Sequence, residues 1–184
     1  MAFTLQEMKI IIGAGEQSWE GWRATQGNEL NLLDETTWSA FFGEDRADAF
    51  LCEHVFEHLT IEEGRKAART IYRYLKPNGY IRLAVPDRFF PSDEYQRMVQ
   101  VGGPGPSNHP AADHKVVYGY KEITEVFEEA GFSVSLLEYH DEQGKFQTNE
   151  WNEKQAPIYR SSKLDHRNQD GTIRFASIIL DAKK

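Results

Sequence analysis

Hydrophobic positions along the chain form short continuous runs that predict buried strands. The run from Lys9 to Ile12 is β-branched and leads into a glycine turn, and the run at 47–52 is similarly apolar. Such runs are typical of parallel strands that are covered on both faces. Residues 28–33 are mixed and predict either another short strand or a turn. Further strands are predicted at 21–25, 80–86, 132–140 and 172–182.

Helical spacing of apolar residues alternates with these strands. A short helix is predicted at 34–42, with Asp34 or Thr36 as its N-cap. Another is predicted at 121–130, where Gly131 stands in the position that commonly ends a helix.

The clearest helix begins at Thr60, which forms a T-x-x-E capping box with Glu63. Apolar residues continue at helical spacing as far as the Pro-Asn-Gly turn at 77–79. The turn stops the helix and places Lys76 in its last turn.

Alternation of strands and helices predicts an α/β fold with a mostly parallel twisted sheet and helices on both faces. The last two strands follow one another without a helix, so we expect them to pair antiparallel. We expect one domain over 1–184. Within it, 87–118 is expected to form a lid or substrate loop, and 141–171 an irregular insertion before the last strand.

The net charge of the chain is −8, which makes a nucleic-acid partner a poor expectation because such binding relies on Lys and Arg. One local group of basic residues is diluted by Asp165 and Asp170, and we interpret it as a solvated surface. The group consists of Arg160, Lys163, His166 and Arg167.

Cys52 is the single cysteine, and it lies in an apolar run. One cysteine forms no internal disulfide, which fits a cytoplasmic protein. The first twelve residues do not resemble a signal peptide, and no apolar run approaches the length of a membrane span, so we expect no membrane partner.

The turn Gly13-Ala14-Gly15 follows the first strand, at the edge of an α/β sheet where ligands bind. The third glycine of the dinucleotide pattern is absent, since Ser18 stands there. Only five residues, Glu16 to Glu20, precede the next predicted strand, which is too few for a helix that would hold a pyrophosphate. An adenosyl ligand without phosphates fits better.

The string His54-Val-Phe-Glu57-His58 has the H-x-x-E-H pattern of a class of zinc peptidases. In this chain a strand runs directly into the string and the capped helix begins only at Thr60. The two histidines therefore need not share a helical face, and we keep a zinc peptidase as a remote alternative.

Two histidines of the long loop, His109 and His114, could in principle join His54 at a metal ion. They come without cysteine partners or helical spacing, so we expect no metal site.

Four stretches together resemble the class I methyltransferases that use S-adenosylmethionine, most closely small bacterial predicted methyltransferases with a shortened first helix. The resemblance spans about residues 8–140, and the last strand fits the family's closing antiparallel strand. It implies a Rossmann-like α/β fold with S-adenosylmethionine as cofactor. The stretches are "KIIIGAGEQSWEGW", "ADAFLCEHVFEHL", "TIYRYLKPNGYIRLAVPD" and "YKEITEVFEEAGF".

The resemblance also implies where the cofactor lies. Its methionine part is expected at the glycine turn and directly after the predicted strand at 47–52, which corresponds to the family's fourth strand. Its ribose is expected at the end of the second strand, and its adenine at residues that follow that strand. The implied residues are Gly13, Ala14, Gly15, Glu53 and His54 for methionine and sulfonium, Thr25 and Gln26 for ribose, and Leu32 and Leu33 for adenine.

The chain departs from the family pattern at two positions. Ile11 stands where an acidic residue or asparagine is usual, and Gln26 stands where a carboxylate usually accepts both ribose hydroxyls. The lost charge-assisted bond would cost about 1–3 kcal/mol, and Glu29 from the loop is an alternative acceptor. Two functions therefore stay open: a methyltransferase for a small-molecule or glycan-type acceptor, and a binding module of the same fold without turnover.

Methyl transfer from a sulfonium is an in-line displacement, in which the protein mainly aligns the reactants. An oxygen or nitrogen acceptor also needs a general base. Catalytic candidates near the predicted site are His54, Asp87 and His114. Candidates for substrate binding are Arg88, Asn108 and His109.

Overall fold

The computed structural model of the protein describes residues 7–184 and contains a seven-stranded sheet in the order β2-β1-β3-β4-β7-β5-β6. The first four strands are mutually parallel, and β7 is antiparallel to β4 and β5 on either side of it. The strands are β1 (Lys9–Ile12), β2 (Arg23–Ala24), β3 (Ala47–Glu53), β4 (Leu75–Pro86), β5 (Ser133–His140), β6 (Phe146–Thr148) and β7 (Ser177–Lys183). The predicted α/β class and the antiparallel pairing of the last two predicted strands are confirmed.

In the described part of the chain, four α-helices accompany the sheet: α1 (Glu35–Phe42), α2 (Ile61–Tyr74), α3 (Asp93–Val99) and α4 (Tyr120–Glu128). Asp34 caps α1 by accepting the backbone N–H of Thr36. The capping box predicted at the start of α2 is present, with both reciprocal hydrogen bonds between Thr60 and Glu63.

The two faces of the sheet are covered in different ways. Ile10 and Ile12 of β1 point into a core built with α1, α2 and α4, whereas Ile11 between them points to the opposite face. That second face is covered by irregular chain that includes Trp151 and Ile158. The link between β1 and β2 contains no helix, so irregular chain packs against this part of the sheet.

Several element boundaries differ from the sequence prediction. Helix α2 ends at Tyr74, so Lys76 lies in β4 and pairs with Asp48, and Arg73 takes the last-turn position. Residues 28–33, for which a short strand and a turn were both open, form turns.

The two segments expected to be irregular contain short elements. The predicted loop 87–118 includes α3, which is capped by Ser92. The predicted insertion 141–171 includes β6 and a 3₁₀ turn at His166–Asn168. The last strand begins at 177, five residues later than expected at 172.

Within residues 7–184, every helix is too short or too polar to cross a bilayer. The expectation of no signal peptide concerns a terminus of which residues 1–6 lie outside the described part.

Candidate functional site

A cavity of about 950 Å³ opens at the carboxyl ends of β1 and β3. This is the edge at which open α/β sheets bind ligands. Its walls are the glycine turn and the two residues after it, the end of β3, and part of the irregular segment before β7. The lining residues are Gly13, Ala14, Gly15, Glu16, Gln17, Glu53, His54, Tyr159, Arg160, Leu164, Asp165, His166 and Arg167.

The glycine turn leaves one wall of the cavity as bare backbone. Gly13 and Gly15 have φ angles of 61° and 55°, in the left-handed region that favours glycine. A Cβ on Gly13 would lie 2.7 Å from Val55, whereas a Cβ on Gly15 would meet no heavy atom within 4 Å. The turn is braced from behind, because the Gln26 side-chain amide donates to the Gly15 carbonyl. A ligand can therefore approach the backbone closely at Gly15.

Glu53 joins the two sides of the cavity. Its carboxylate accepts the backbone N–H groups of Tyr159 and Arg160 at 2.9 Å each and the side-chain amide of Gln17 at 2.7 Å. The guanidinium of Arg160 lies 3.3 Å away. Burial raises the pKa of Glu53, and Arg160 with the N–H donors acts in the opposite direction. The geometry, with donors only, is that of an ionised carboxylate.

His54 lies at the floor of the cavity with a φ of 54°, which is rare for a residue other than glycine. Its Nε2 is 2.8 Å from the Ser177 hydroxyl, which itself donates to the Arg160 carbonyl. Nε2 therefore carries the hydrogen, and Nδ1 is left as an acceptor 3.3 Å from Glu57. Burial lowers the pKa of His54 well below its usual range, so the ring is neutral.

The third wall comes from 159–167, the segment that contains all four residues of the basic group. Arg160 pairs with Glu53, and Arg167 forms a two-pronged ion pair with Asp165 while its guanidinium stacks over Phe175 at 3.6 Å. His166 is also part of the lining. The interpretation of this group as a solvated surface is corrected for Arg160 and Arg167, whose ion pairs hold them in the wall of the cavity, whereas the side chain of His166 is 82% exposed.

Five of the residues implied for cofactor binding line the cavity: Gly13, Ala14, Gly15, Glu53 and His54. The other four lie elsewhere. Thr25 is buried with its hydroxyl on the Ile11 carbonyl, and Gln26 braces the turn. Leu32 packs in the helix-covered core, and Leu33 lies against that core.

The remaining candidates lie outside the lining of this cavity. Asp87 is fully buried and bound to His140. Arg88 pairs with Glu122 at 2.7 Å on the surface. Asn108 and His109 belong to the loop after α3, where the His109 ring accepts the Ala111 N–H within its own turn.

His114 lies near two residues of the H-x-x-E-H string. Its Nε2 is 3.9 Å from a carboxylate oxygen of Glu57, and its ring meets that of His58. The string itself is not helical: His54 follows the strand β3, and residues 56–58 form a 3₁₀ turn. Its two histidines do not share a helical face, which removes the basis of the zinc peptidase alternative.

Sequence reasoning missed Gln17, Glu57 and Ser177, which position the groups around His54 and Glu53. It also missed the wall at 159–167. The signal for that wall was the basic group itself, since four basic residues lie within eight positions of an otherwise acidic chain.

The Methyltransferase domain family matches residues 14–137, which is more than half of the chain. No sequence among the curated proteins matches it.

Solved structures share the fold at low sequence identity. An S-adenosylmethionine-dependent methyltransferase from Archaeoglobus fulgidus is 16% identical, with a TM-score of 0.52, over 99% of this chain and 88% of that one. A chain of the complex with the Haloferax volcanii Trm112 methyltransferase activator is 14% identical, with a TM-score of 0.54, over 97% and 82%. Other relatives are longer: the chain spans 32% of an O-methyltransferase family protein from Burkholderia thailandensis, which is 16% identical with a TM-score of 0.46 over 62% of this chain.

The family match confirms the resemblance found in the sequence, including the cofactor expected at the level of the family. The glycine turn, open at Gly15, and the end of β3 fit the methionine end of that cofactor. The chain therefore belongs to the Methyltransferase domain family, among the class I proteins that use S-adenosylmethionine.

Proposed function

We propose that this chain transfers a methyl group from S-adenosylmethionine to a small-molecule or glycan-type acceptor. One observation carries the proposal: bare backbone at Gly13–Gly15 and the buried end of β3 face each other across a cavity of about 950 Å³. Pockets for single small ligands occupy about 300–1,000 Å³. The volume lies near the upper end of that range, which leaves room for a small acceptor beside part of the cofactor. We also propose a cytoplasmic location, in keeping with the free, buried cysteine Cys52.

The cofactor site differs from the family pattern at the ribose end. Gln26 is engaged with the Gly15 carbonyl, and Glu29 accepts the Gln26 backbone N–H, so both brace the turn. Glu16 lines the cavity directly after the turn. We propose that Glu16 accepts the ribose hydroxyls, the role that a carboxylate at the end of the second strand has in the family pattern.

The methyl group arrives already activated by its sulfonium. The chain's own work is then to align the acceptor, exclude water and accept a proton. The Nε2 of His54 is engaged with the Ser177 hydroxyl, which suits a fixed wall. His166 lines the cavity on its exposed side, with its Nδ1 3.8 Å from Asp165, and is our further candidate for the base.

The acceptor is expected to be polar. Arg160, His166 and Arg167 line one wall, and Tyr159 beside them stacks on Trp19 with ring centroids 4.5 Å apart. Cationic and aromatic groups together favour hydroxyl-rich or anionic small molecules.

Calorimetric titration with S-adenosylhomocysteine tests the cofactor site. Wild type is expected to bind at micromolar concentration, and Gly15→Val to lose binding because its side chain enters the cavity and strains a φ of 55°. Gly43→Val is the matched control, with a φ of 53° and open space at its Cβ. The site would be refuted if folded wild type did not bind S-adenosylhomocysteine at millimolar concentration, or if Gly15→Val bound it with wild-type affinity.

Glu16→Gln tests the ribose contact. We expect a loss of affinity of roughly tenfold or more, the cost of one charge-assisted hydrogen bond. Glu20→Gln, an exposed change in the same loop, serves as its control and should bind normally. Equal affinities of the two variants would remove Glu16 from the site.

A binding module without turnover is the second candidate, supported by the absence of a free carboxylate at the end of β2, where Gln26 holds the turn. A screen of polar acceptors with methyl-labelled cofactor separates the two functions. Label transfer supports the enzyme, whereas cofactor binding without transfer to any acceptor class favours the module.

A further inference from the structure

Three side chains that the cavity does not use converge beside it. Glu57 and His58 lie on the 3₁₀ turn after β3, and His114 comes from the loop before α4. One ligand-type atom of each lies within 4.8 Å of those of the other two. The rings of the two histidines are nearly perpendicular, with centroids 4.9 Å apart.

Both histidines already have a partner for their Nδ1. In His114 this nitrogen lies 2.8 Å from the Val99 carbonyl, and in His58 it lies 2.8 Å from a carboxylate oxygen of Asp113. A carbonyl and a carboxylate accept hydrogen bonds, so each Nδ1 carries the hydrogen and each Nε2 keeps a lone pair. Histidines that bind metals are held in this way by a carbonyl or carboxylate on their other nitrogen.

The carboxylate of Glu57 lacks hydrogen-bond donors in the described part of the chain. Its side chain is fully buried, and among residues 7–184 neither of its carboxylate oxygens has a hydrogen-bond partner. A buried carboxylate without donors is costly unless a cation or a proton compensates it. The Nε2 of His114, which has no hydrogen to donate, lies 3.9 Å away.

We propose that Glu57, His58 and His114 bind a divalent first-row metal ion, with Zn²⁺ as the best match. Two imidazoles and one carboxylate are donors that zinc prefers, and three protein ligands leave one coordination position open. Ligand atoms about 2.0–2.1 Å from zinc stand about 3.3 Å apart in a tetrahedron. Small side-chain rotations would bring the present spacing to that value.

The proposed site departs from the expectation that the chain has no metal site. Its ligands also differ from the H-x-x-E-H pair of histidines and from the set of His54, His109 and His114 considered in the sequence. His54 lies outside the group whose ligand atoms converge within 4.8 Å, and its Nε2 is bound to Ser177. His109 points into its own turn. The ion would fasten the loop before α4 to the turn below the cavity, where the Glu57 carbonyl already accepts the N–H of Lys115.

Titration of the metal-depleted full chain with Zn²⁺ and Co²⁺ tests the proposal. Wild type is expected to bind one equivalent, to melt at a higher temperature with Zn²⁺, and to show the visible absorption of Co²⁺ in a low-coordinate nitrogen and oxygen environment. Glu57→Gln and His114→Ala should each weaken binding by at least about tenfold, and Asp113→Asn by about 10- to 100-fold through its hold on His58. His109→Ala is the matched control from the same loop.

Wild type that takes up neither ion, or variants at Glu57 and His114 that bind as His109→Ala does, would overturn the proposal. If those variants fail to fold, the wild-type Co²⁺ spectrum decides, since a spectrum of hydrated Co²⁺ also overturns it. None of these readouts involves S-adenosylmethionine, so a failure of the proposed methyl transfer would leave the metal result unaffected.

Discussion

The Nε2 of His54 lies 2.8 Å from the hydroxyl of Ser177, although the two residues are 123 positions apart. His54 follows β3 directly, and Ser177 opens β7. The Ser177 hydroxyl donates in turn to the carbonyl of Arg160, in the wall of the cavity. One hydroxyl therefore connects the floor of the site with the segment that covers it.

Ser177→Ala should lower the free energy of unfolding by about 1–3 kcal/mol, because it leaves the His54 N–H and the Arg160 carbonyl without their buried partner. Urea unfolding monitored by circular dichroism measures the change. Ser135→Ala, on the exposed side of β5, should leave stability within about 0.5 kcal/mol of wild type. Equal stabilities of the two variants would contradict this role of Ser177.

The parts of the fold that the sequence predicted are those set by local rules. Asp34 and Thr60 cap helices through bonds that reach two or three residues along the chain, so their signals are readable in short stretches. The glycine turn is equally local, since Gly13 and Gly15 adopt φ angles that other residues avoid.

The wall of the cavity depends on contacts that carry no local signal. Tyr159 and Arg160 bind Glu53 through backbone N–H groups, which every residue except proline possesses, across more than a hundred positions. The same holds for Leu32, which was expected at the adenine but is buried in the core. Its position follows from the turns at 28–33, where the indole N–H of Trp38 donates to the Asn31 carbonyl.

The pair of Arg82 and Asp181 fastens β4 to β7. The guanidinium is 2% exposed and binds both carboxylate oxygens, at 2.7 and 2.8 Å. Asp181→Asn leaves that charge buried without its partner, so we expect a loss of about 3–5 kcal/mol in urea unfolding. The double variant R82M/D181L should recover part of the loss, since it removes both charges.

Asp170→Asn is the matched control, because it removes the two-pronged partner of Arg174 at an exposed site and should hardly move the unfolding midpoint. A similarly small effect of Asp181→Asn would mean that the buried pair does not hold the two strands.

Asp87 was a catalytic candidate, and its contacts predict a structural effect instead. Its oxygens accept the backbone N–H of Phe89 and both the backbone N–H and Nδ1 of His140. Asp87→Asn replaces one acceptor by a donor, which should lower the free energy of unfolding by about 1–3 kcal/mol while leaving the affinity for S-adenosylhomocysteine unchanged.

Unfolding and calorimetry on the same preparation test this, with the exposed change Asp45→Asn as control. Normal stability of Asp87→Asn together with lost methyl transfer would restore Asp87 as a catalytic residue.

Asp165 should make the cavity wall sensitive to acid. Burial opposes ionisation of its carboxyl, but the backbone and guanidinium donors of Arg167 outweigh burial and hold the pKa of Asp165 below its usual value. A pKa that is lower in the folded than in the unfolded state stabilises the fold above about pH 4, and this stabilisation is lost as pH falls through the folded pKa. Asp165→Asn lacks it at every pH. Melting temperatures of wild type and variant should therefore differ at pH 7 and converge below about pH 4, and a constant difference across that range would assign the effect to packing alone.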